Sequence, residues 1–190
     1  INGPDTLKCD SMVYYSKLDS GYAMGNVFFI QKGNNRRLTT PVFNYWQTEG
    51  YRGSSFIAEG YSLVEEEDQL IIANRIQYDD DTQTMLLKDN ASVQDPVRGI
   101  FGNEIILTYA DSLLQKIEVL NDAFAYNDLN VMVTETGPYQ KQRDEMSGKE
   151  MVVYFEHDEI NRLELISMAS TKYNVIEDSL LVGENEANGD

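Results

Sequence analysis

The sequence predicts an all-β fold, built as an elongated stack of β-hairpins. Three observations support this: apolar residues alternate with polar ones, turn-forming residues separate the alternating runs, and a unit of about thirty residues recurs along the chain. The alternation is clear at Ile105, Leu107 and Tyr109. A period of two places such residues on one face of a strand. Turn formers, such as the run 79–81, separate the strands at intervals of roughly 8 to 16 residues.

Composition bounds the classes of function. The chain has 190 residues, of which 42% are hydrophobic, enough to fill a sizeable core. Its formal net charge of −17 argues against binding to nucleic acid. One Cys and four Pro exclude a disulfide framework and a Pro-rich linker. The apolar run 27–30 is far short of the roughly 18 residues of a membrane-spanning helix.

The repeated unit has two halves. The first half is an apolar residue, a small or polar pair and an apolar strand that ends in Tyr; it occurs at 7–15, 71–78, 100–109 and 146–154, with a fainter copy at 38–45. The second half is a small and polar step into another strand, at 25–28, 89–93, 121–125 and 168–171. Each unit is therefore expected to form one β-hairpin, and such units stack on their neighbours.

Residues 111–126 are the one segment that also fits a helix. Leu113, Ile117 and Leu120 lie at helical spacing, and Ser112 with Gln115 has the pattern of a capping box. The repeat instead assigns this segment to a turn followed by a strand. Because self-similarity along the chain outweighs local propensity, we predict a strand.

Spacing of the repeats predicts one domain over residues 1–190. The anchor positions Asp10, Pro41, Asn74, Asn103 and Lys149 are 31, 33, 29 and 46 residues apart, so the last interval contains an insertion at about 127–145. The chain begins at Ile1 and ends at Asp190 inside what reads as a further repeat. We therefore expect a processed fragment that is truncated at its C-terminus.

These repeats resemble the OstA-like, or LptA-like, family of lipopolysaccharide-transport proteins. The resemblance rests on an element of the form Ile-x-Gly-Asn-x-Ile, seen at 101–105, and on a Gly-Asn-Ala-like step, seen at 25–27 and 89–91. The segment 146–190 is especially similar to the versions found in Bacteroides-type bacteria. Two departures are that Gly25 alone supplies the Gly of that step and that Pro41 replaces a polar anchor.

The resemblance implies an elongated, V-shaped β-jellyroll in the periplasm of a Gram-negative bacterium. Such a module would bind lipopolysaccharide or a similar acyl lipid, with acyl chains in an apolar groove, and would contribute to outer-membrane assembly together with other Lpt components. The apolar strand positions that would face this groove are Val27, Phe29, Ile72, Ile76, Phe101, Ile105, Leu107, Ile117, Val119, Met151, Val153, Phe155, Leu163 and Leu165. The same parity would equally describe a filled core.

Catalysis has little support in the sequence. The single His, His157, lies in a charged turn, and Cys9 has no evident base. The acidic runs 65–68 and 79–81 lack the spacing of a calcium loop and read as solvated turns. We predict a protein that is not an enzyme, without a metal site or cofactor.

Two other functions stay open at this stage. One is a structural or adhesive β-solenoid of the cell surface with a filled interior. The other is a carbohydrate-binding sandwich or an enzyme, for which the 12 Tyr and the single Trp would serve as sugar-stacking residues. We also expect head-to-tail self-association, in which a strand around 173–176, exposed or only partly covered, pairs with the N-terminal strand at 7–15 of another copy.

Overall fold

The protein, seen here in a computed structural model, is all-β, which confirms the predicted fold class. The structure describes residues 6–31, 36–47, 54–111, 113–134, 136–157 and 159–190, and these contain strands but no helix. The strands are β1 (Thr6–Lys8), β2 (Ser11–Tyr15), β3 (Ser20–Gln31), β4 (Arg36–Gln47), β5 (Ser54–Glu66), β6 (Gln69–Asp79), β7 (Thr84–Gln94), β8 (Arg98–Ala110), β9 (Leu113–Met132), β10 (Tyr139–Glu156), β11 (Glu159–Ile166), β12 (Ser170–Glu177) and β13 (Leu180–Asn188). No helix capable of spanning a membrane occurs in these ranges.

All thirteen strands belong to one sheet. From β3 to β10 each strand pairs antiparallel with the next along the chain, as expected for a stack of hairpins. At the N-terminal edge, β3 pairs with both β1 and β2. At the C-terminal edge, β10 pairs with β11 over 150–156 and with β12 over 145–147, and β13 pairs with β12. One parallel contact, between Leu180 and Met132, makes the sheet mixed.

The segment 111–126 is extended, which confirms the strand prediction over the helix alternative. Residues from Leu113 onward form β9, and Asp111 lies in the turn before it with a positive φ of 51°. The expected insertion is the outer part of the β9–β10 hairpin, where Asn127 pairs with Asp144 and Met132 pairs with Tyr139. The candidate strand at 129–133 is thus largely the end of β9 rather than a separate element.

A line of β-bulges crosses the sheet at one level. The ladders are interrupted between Met24 and Val27, Thr39 and Val42, Glu59 and Ser62, Ile72 and Arg75, Lys88 and Ala91, Phe101 and Glu104, and Gly148 and Glu150. We call this line the crease. Bulges bend a strand and increase its local twist, so a row of aligned bulges folds the whole sheet.

Left-handed backbone explains the sequence repeat. Asn26, Asp89 and Asn121 have φ of 46°, 59° and 62°, and all three lie at the crease. Gly, Asn and Asp adopt this conformation at the least cost, which is why they recur once per hairpin. The repeat anchors lie on the neighbouring strands at the same level, and the Asp10 N–H donates to the Gly25 carbonyl at 2.9 Å. Gly60, with a φ of 87°, is a further member that the sequence reading missed.

The crease divides the sheet into two limbs that face each other. Limb A comprises β2, β11 and residues 20–24, 42–47, 54–59, 75–79, 84–88, 104–110, 113–120 and 150–156; limb B comprises β1, β12, β13 and residues 27–31, 36–40, 62–66, 69–73, 91–94, 98–102, 123–132 and 139–147. Inward residues of both limbs form one hydrophobic cluster. At the crease the limbs approach so closely that a Cβ on Gly102 would clash with Cγ1 of Val119.

Two hydroxyl groups complete the inner side of the crease. The hydroxyls of Thr40 and Ser62, both buried, are 2.8 Å apart. The Thr40 hydroxyl also lies 3.0 and 3.3 Å from the carbonyl oxygens of Val42 and Glu59, and the Ser62 hydroxyl lies 2.9 Å from that of Gly60, so the two hydroxyl protons are shared among these acceptors. These bonds satisfy carbonyls that the bulges remove from the ladder, since an unpaired buried carbonyl is costly.

A β-branched residue at the crease is expected to destabilise the fold. Asn121→Val places a branched side chain at a φ of 62°, which we expect to lower the free energy of unfolding by about 1–3 kcal/mol. Asn130→Val on the exposed face of the same strand is the control, expected to change it by less than about 0.5 kcal/mol. Urea unfolding monitored by circular dichroism measures both, and equal stabilities would contradict the role of the crease.

Candidate functional site: the space between the limbs

Most of the candidate groove positions form a closed core. Eight of the fourteen are 0–2% exposed: Val27, Ile76, Ile105, Leu107, Ile117, Val119, Met151 and Val153. Four are partly buried and pack against this core: Phe29, Phe155, Leu163 and Leu165. Along the middle of the sheet the two limbs are therefore in direct apolar contact. The space available to a ligand lies elsewhere.

Ile72 and Phe101 lie outside this core. On β6 the inward residues of limb B are Ile71 and Ala73, and beyond the bulge the next inward residue is Ile76. Simple alternation in the sequence groups Ile72 with Ile76, because it does not register the change of face at the bulge. Phe101 lies on the outer face for the same reason. The centroid of its ring is 6.0 Å from that of Phe124 and 5.8 Å from that of Tyr126.

The limbs part at the ends of the strands that lie farthest from the crease, which we call the mouth. A recess of about 110 Å³ opens there, and its apolar lining includes Val93 and Ile100 of limb B and Leu114, Phe155 and Ile160 of limb A. These side chains continue the core outward to the surface. A wider cleft of about 620 Å³, bordered by the turns 66–69 and 95–98, adjoins the recess.

A polar cluster closes the mouth on the N-terminal side of the recess. Arg36 of limb B is 6% exposed, and its Nε and Nη2 donate to the same oxygen of Glu66 at 2.9 and 2.7 Å. Its guanidinium carbon lies 5.8 Å from the ring centroids of both Tyr78 and Tyr109, which belong to limb A. Of the charged residues that the structure describes, Arg36 alone is buried.

Sequence reasoning missed Arg36. It treated the run 65–68 as a solvated turn, whereas Glu66 turns toward Arg36 and its side chain is only 22% exposed. A signal was present, because Arg36 has the same parity as Leu38 and Thr40, both of which face inward. Burial of a charge at such a position requires a partner of opposite sign.

Aromatic rings fill the interior beside this cluster. The Phe43 ring lies 5.2 Å from Phe29, 5.9 Å from Tyr45 and 5.4 Å from Phe56. Phe56 in turn is 5.6 Å from Tyr78. Because Phe29 lies on limb B and Phe43 on limb A, these contacts hold the limbs together by aromatic packing.

Apolar side chains are also exposed at the two edges of the sheet. Met12 and Tyr14 of β2 pair with Ala23 and Gly21, so they lie on the inner face of limb A, yet they are 52% and 48% exposed. At the opposite edge, Ile160 of β11 is on the inner face and is 48% exposed. The apolar interior is thus open at both ends as well as at the mouth.

The expected C-terminal edge at 173–176 is covered on one side. Residues Tyr173 and Val175 pair with Asn185 and Gly183, so β13 covers this part of β12. The carboxylate of Asp144 accepts from the backbone N–H and the side-chain amide of Asn174 at 2.8 and 2.9 Å, which fixes β12 beside β10. At this end of the sheet, the limb A strand with a free side is β11, which pairs with β10 alone.

Carboxylates of the turns 66–69 and 95–98 line the limb B side of the mouth. The turn from Asp95 to Arg98 is closed by Oδ1 of Asp95, which accepts from the N–H groups of Val97 and Arg98 at 2.9 and 2.7 Å. Burial opposes the charged form of Asp95, but these backbone bonds and the Arg98 guanidinium outweigh it and lower the pKa of the carboxyl. The mouth is therefore an apolar recess with an acidic border.

The candidates for chemistry are dispersed. His157 lies in the exposed turn after β10, and Cys9 is a half-buried free thiol between β1 and β2. Within the described ranges, no group of three or more His, Cys, Asp or Glu side chains is placed to hold a metal ion.

Comparison with known proteins identifies the fold. The chain is similar to a crystal structure of LptH, the LptA-homologous periplasmic component of the lipopolysaccharide transport device from Pseudomonas aeruginosa, with a TM-score of 0.51 and 19% sequence identity. The match covers 58% of this chain and 80% of that one. No model of a known protein family matches the chain, and no curated protein does. The architecture is thus that of the β-jellyroll found in an LptA-like protein.

Tyr109 provides a titration test of the closed mouth. Burial raises its pKa to about 12, although Arg36 opposes the shift. Because the pKa of Tyr109 in the folded state exceeds its unfolded value, the stabilisation is present below pH 10 and is lost as pH rises toward 12. Between pH 10 and 12, we expect the free energy of unfolding, measured with urea, to fall by about 2 kcal/mol more in the wild type than in Tyr109→Phe. Parallel stability curves would mean that the Tyr109 hydroxyl is solvated.

Proposed function

We propose that this chain is a periplasmic lipid-binding module of a lipopolysaccharide transport bridge, with residues 1–190 acting as one β-jellyroll unit. The observation that carries this proposal is the folded sheet with an apolar interior open at the mouth and at both ends. A lipid that moves from one module to the next needs a continuous apolar path of this kind. The shared architecture with LptH supports the same conclusion.

The acyl chains would be held between the limbs. The recess beside Leu114, Phe155 and Ile160 would receive a chain end first, and the buried groove positions such as Ile105 and Val153 would contact it when the limbs part. Each buried methylene contributes about 0.8 kcal/mol, so several chains outweigh the screened repulsion between lipid phosphates and a protein of charge −17. The charged head groups would remain outside, at the acidic border.

One observation favours a second function. The close packing of Ile76, Ile105 and Met151 is also what a structural or adhesive surface solenoid with a permanently filled interior requires. The two functions differ in one respect: only the lipid-binding module admits an acyl chain between its limbs.

Photo-crosslinking distinguishes the two functions. A photoreactive residue in place of Phe155 faces the recess, whereas one in place of the adjacent Tyr154 faces outward and is the matched control. With purified lipopolysaccharide we expect acyl-chain labelling at 155 that exceeds labelling at 154 by about tenfold or more, since adjacent strand residues face opposite sides. Equal labelling at both positions, or none, would favour the filled solenoid.

The open edges would join modules head to tail. Edge strands accept further strands, and β2 at one end and β11 at the other expose both backbone and inward apolar side chains. This contact is heterologous, so it continues rather than closes. It would also extend the apolar interior from one copy into the next, or into another Lpt component.

Edge variants test this mode of association. Met12→Lys with Tyr14→Lys blocks the N-terminal edge, and Ile160→Lys with Ile166→Lys blocks the C-terminal edge; all four side chains are exposed, so the fold is retained. In sedimentation experiments we expect the wild type to form a series of oligomers whose size increases with protein concentration. Salt should strengthen this association, because it screens the repulsion between the negatively charged copies. Each variant alone should be monomeric, and a mixture of the two should stop at a dimer. A wild type that remains monomeric, or a symmetric dimer in either variant, would contradict the head-to-tail mode.

A further inference from the structure

The mouth differs between its two halves. Toward β9–β11 it is an open apolar recess with no ion pair across it among the described side chains. Toward β4–β8 it is closed by Arg36, which approaches limb A rings from limb B. The two halves differ in chemistry, because at the Arg36 end a buried cation lies over two aromatic rings of the opposite limb, a contact that depends on its position above those rings.

Arg36 is a buried charge with few compensating contacts. Its guanidinium has one carboxylate partner, Glu66, and two aromatic faces. Taking such a charge out of water is expensive, so a buried ion pair adds less to stability than a well-packed apolar side chain of equal size. The cluster therefore contributes more to the position of the limbs than to the stability of the fold. When it breaks, Arg36 is exposed to water, and its hydration offsets part of the free-energy cost of opening.

We propose that Arg36 is a latch that holds the two limbs together and thereby keeps the N-terminal half of the interior closed to ligands. The latch is an autoinhibitory contact: Arg36, held on limb B by its ion pair with Glu66, lies over the rings of Tyr78 and Tyr109 on limb A, and separation of the limbs removes the guanidinium from these rings. The recess near Phe155 lies beyond the latch and needs no such opening.

An entry order follows for a lipid. The end of an acyl chain enters the recess first. Separation of the limbs then spreads toward β4, where the contacts of Arg36 break last. This order rests on the proposed function, whereas the latch itself does not. The latch also explains how the interior is both tightly packed, as at Ile76 and Met85, and accessible to a ligand.

A distance measurement tests the latch without any lipid. Spin labels at Asp68 and Asp111, exposed in turns on opposite sides of the cleft, report the separation of the limbs in a Cys9→Ser background. In Arg36→Met, which keeps the length of the stem but removes the charge, we expect a new population longer by on the order of 5 Å, half the usual spacing of packed sheets. Arg75→Met is the matched control, because its ion pair with Glu59 is exposed on the outer face.

Arg75→Met should keep the wild-type distances. Should Arg36→Met fail to fold by circular dichroism, Glu66→Gln keeps the side-chain volume and weakens the same pair, and it should give a smaller population of the longer distance. A folded Arg36 or Glu66 variant with the wild-type distance distribution overturns the latch. So does equal widening in Arg75→Met.

Uptake of cis-parinaric acid, a fluorescent fatty acid, connects the latch to the proposed function. We expect its fluorescence to rise about tenfold faster with Arg36→Met than with wild type or Arg75→Met, because opening of the limbs no longer breaks cation–π contacts with Tyr78 and Tyr109. If no variant binds the fatty acid while the spin-label distance still lengthens, the proposed function fails and the latch stands. If all variants bind at the wild-type rate with unchanged distances, the function stands and the latch fails.

Discussion

The crease is the constraint on which the rest of the structure depends. A thirteen-stranded sheet cannot bury its own apolar face unless it folds, and here every long hairpin folds at the same level through residues with left-handed backbone. Asn26, Asp89 and Asn121 all have left-handed backbone, which Asn and Asp adopt more readily than most residues, and this accounts for their recurrence. The limbs, the core, the mouth and the open ends all follow from this one bend.

The sequence was sufficient for the fold because the repeat records the crease directly. Alternating residues such as Ile105 and Leu107 identified strands, and the recurrence of Asn and Asp once per hairpin settled the ambiguous segment 111–126. Positions immediately beside the bulges were harder. Ile72 and Phe101 fall on the wrong face in a simple count of two, because the bulge adds residues that a period of two does not register.

The functional site was predictable only in part. Alternation along the strands predicts that Phe155 and Leu163 face inward. It does not predict how closely the two limbs pack, because that depends on contacts between residues far apart in sequence. Arg36 illustrates the limit. Its partners Glu66, Tyr78 and Tyr109 are 30 to 73 residues away, and nothing local in the run Arg36–Arg37 distinguishes the buried side chain from the exposed one except parity.

The partners of Arg36 also show how the two limbs are offset. Arg36 on β4 contacts Tyr78 on β6 and Tyr109 on β8, so limb B of one hairpin lies over limb A of hairpins farther along the stack. Twist between neighbouring strands, about 20 to 25°, accumulates across a folded sheet and produces such an offset. In a stack whose units touch only their neighbours, opening at one end has little effect on the other. The offset links hairpins that are not neighbours, because Arg36 of one hairpin contacts rings from two others across the interior.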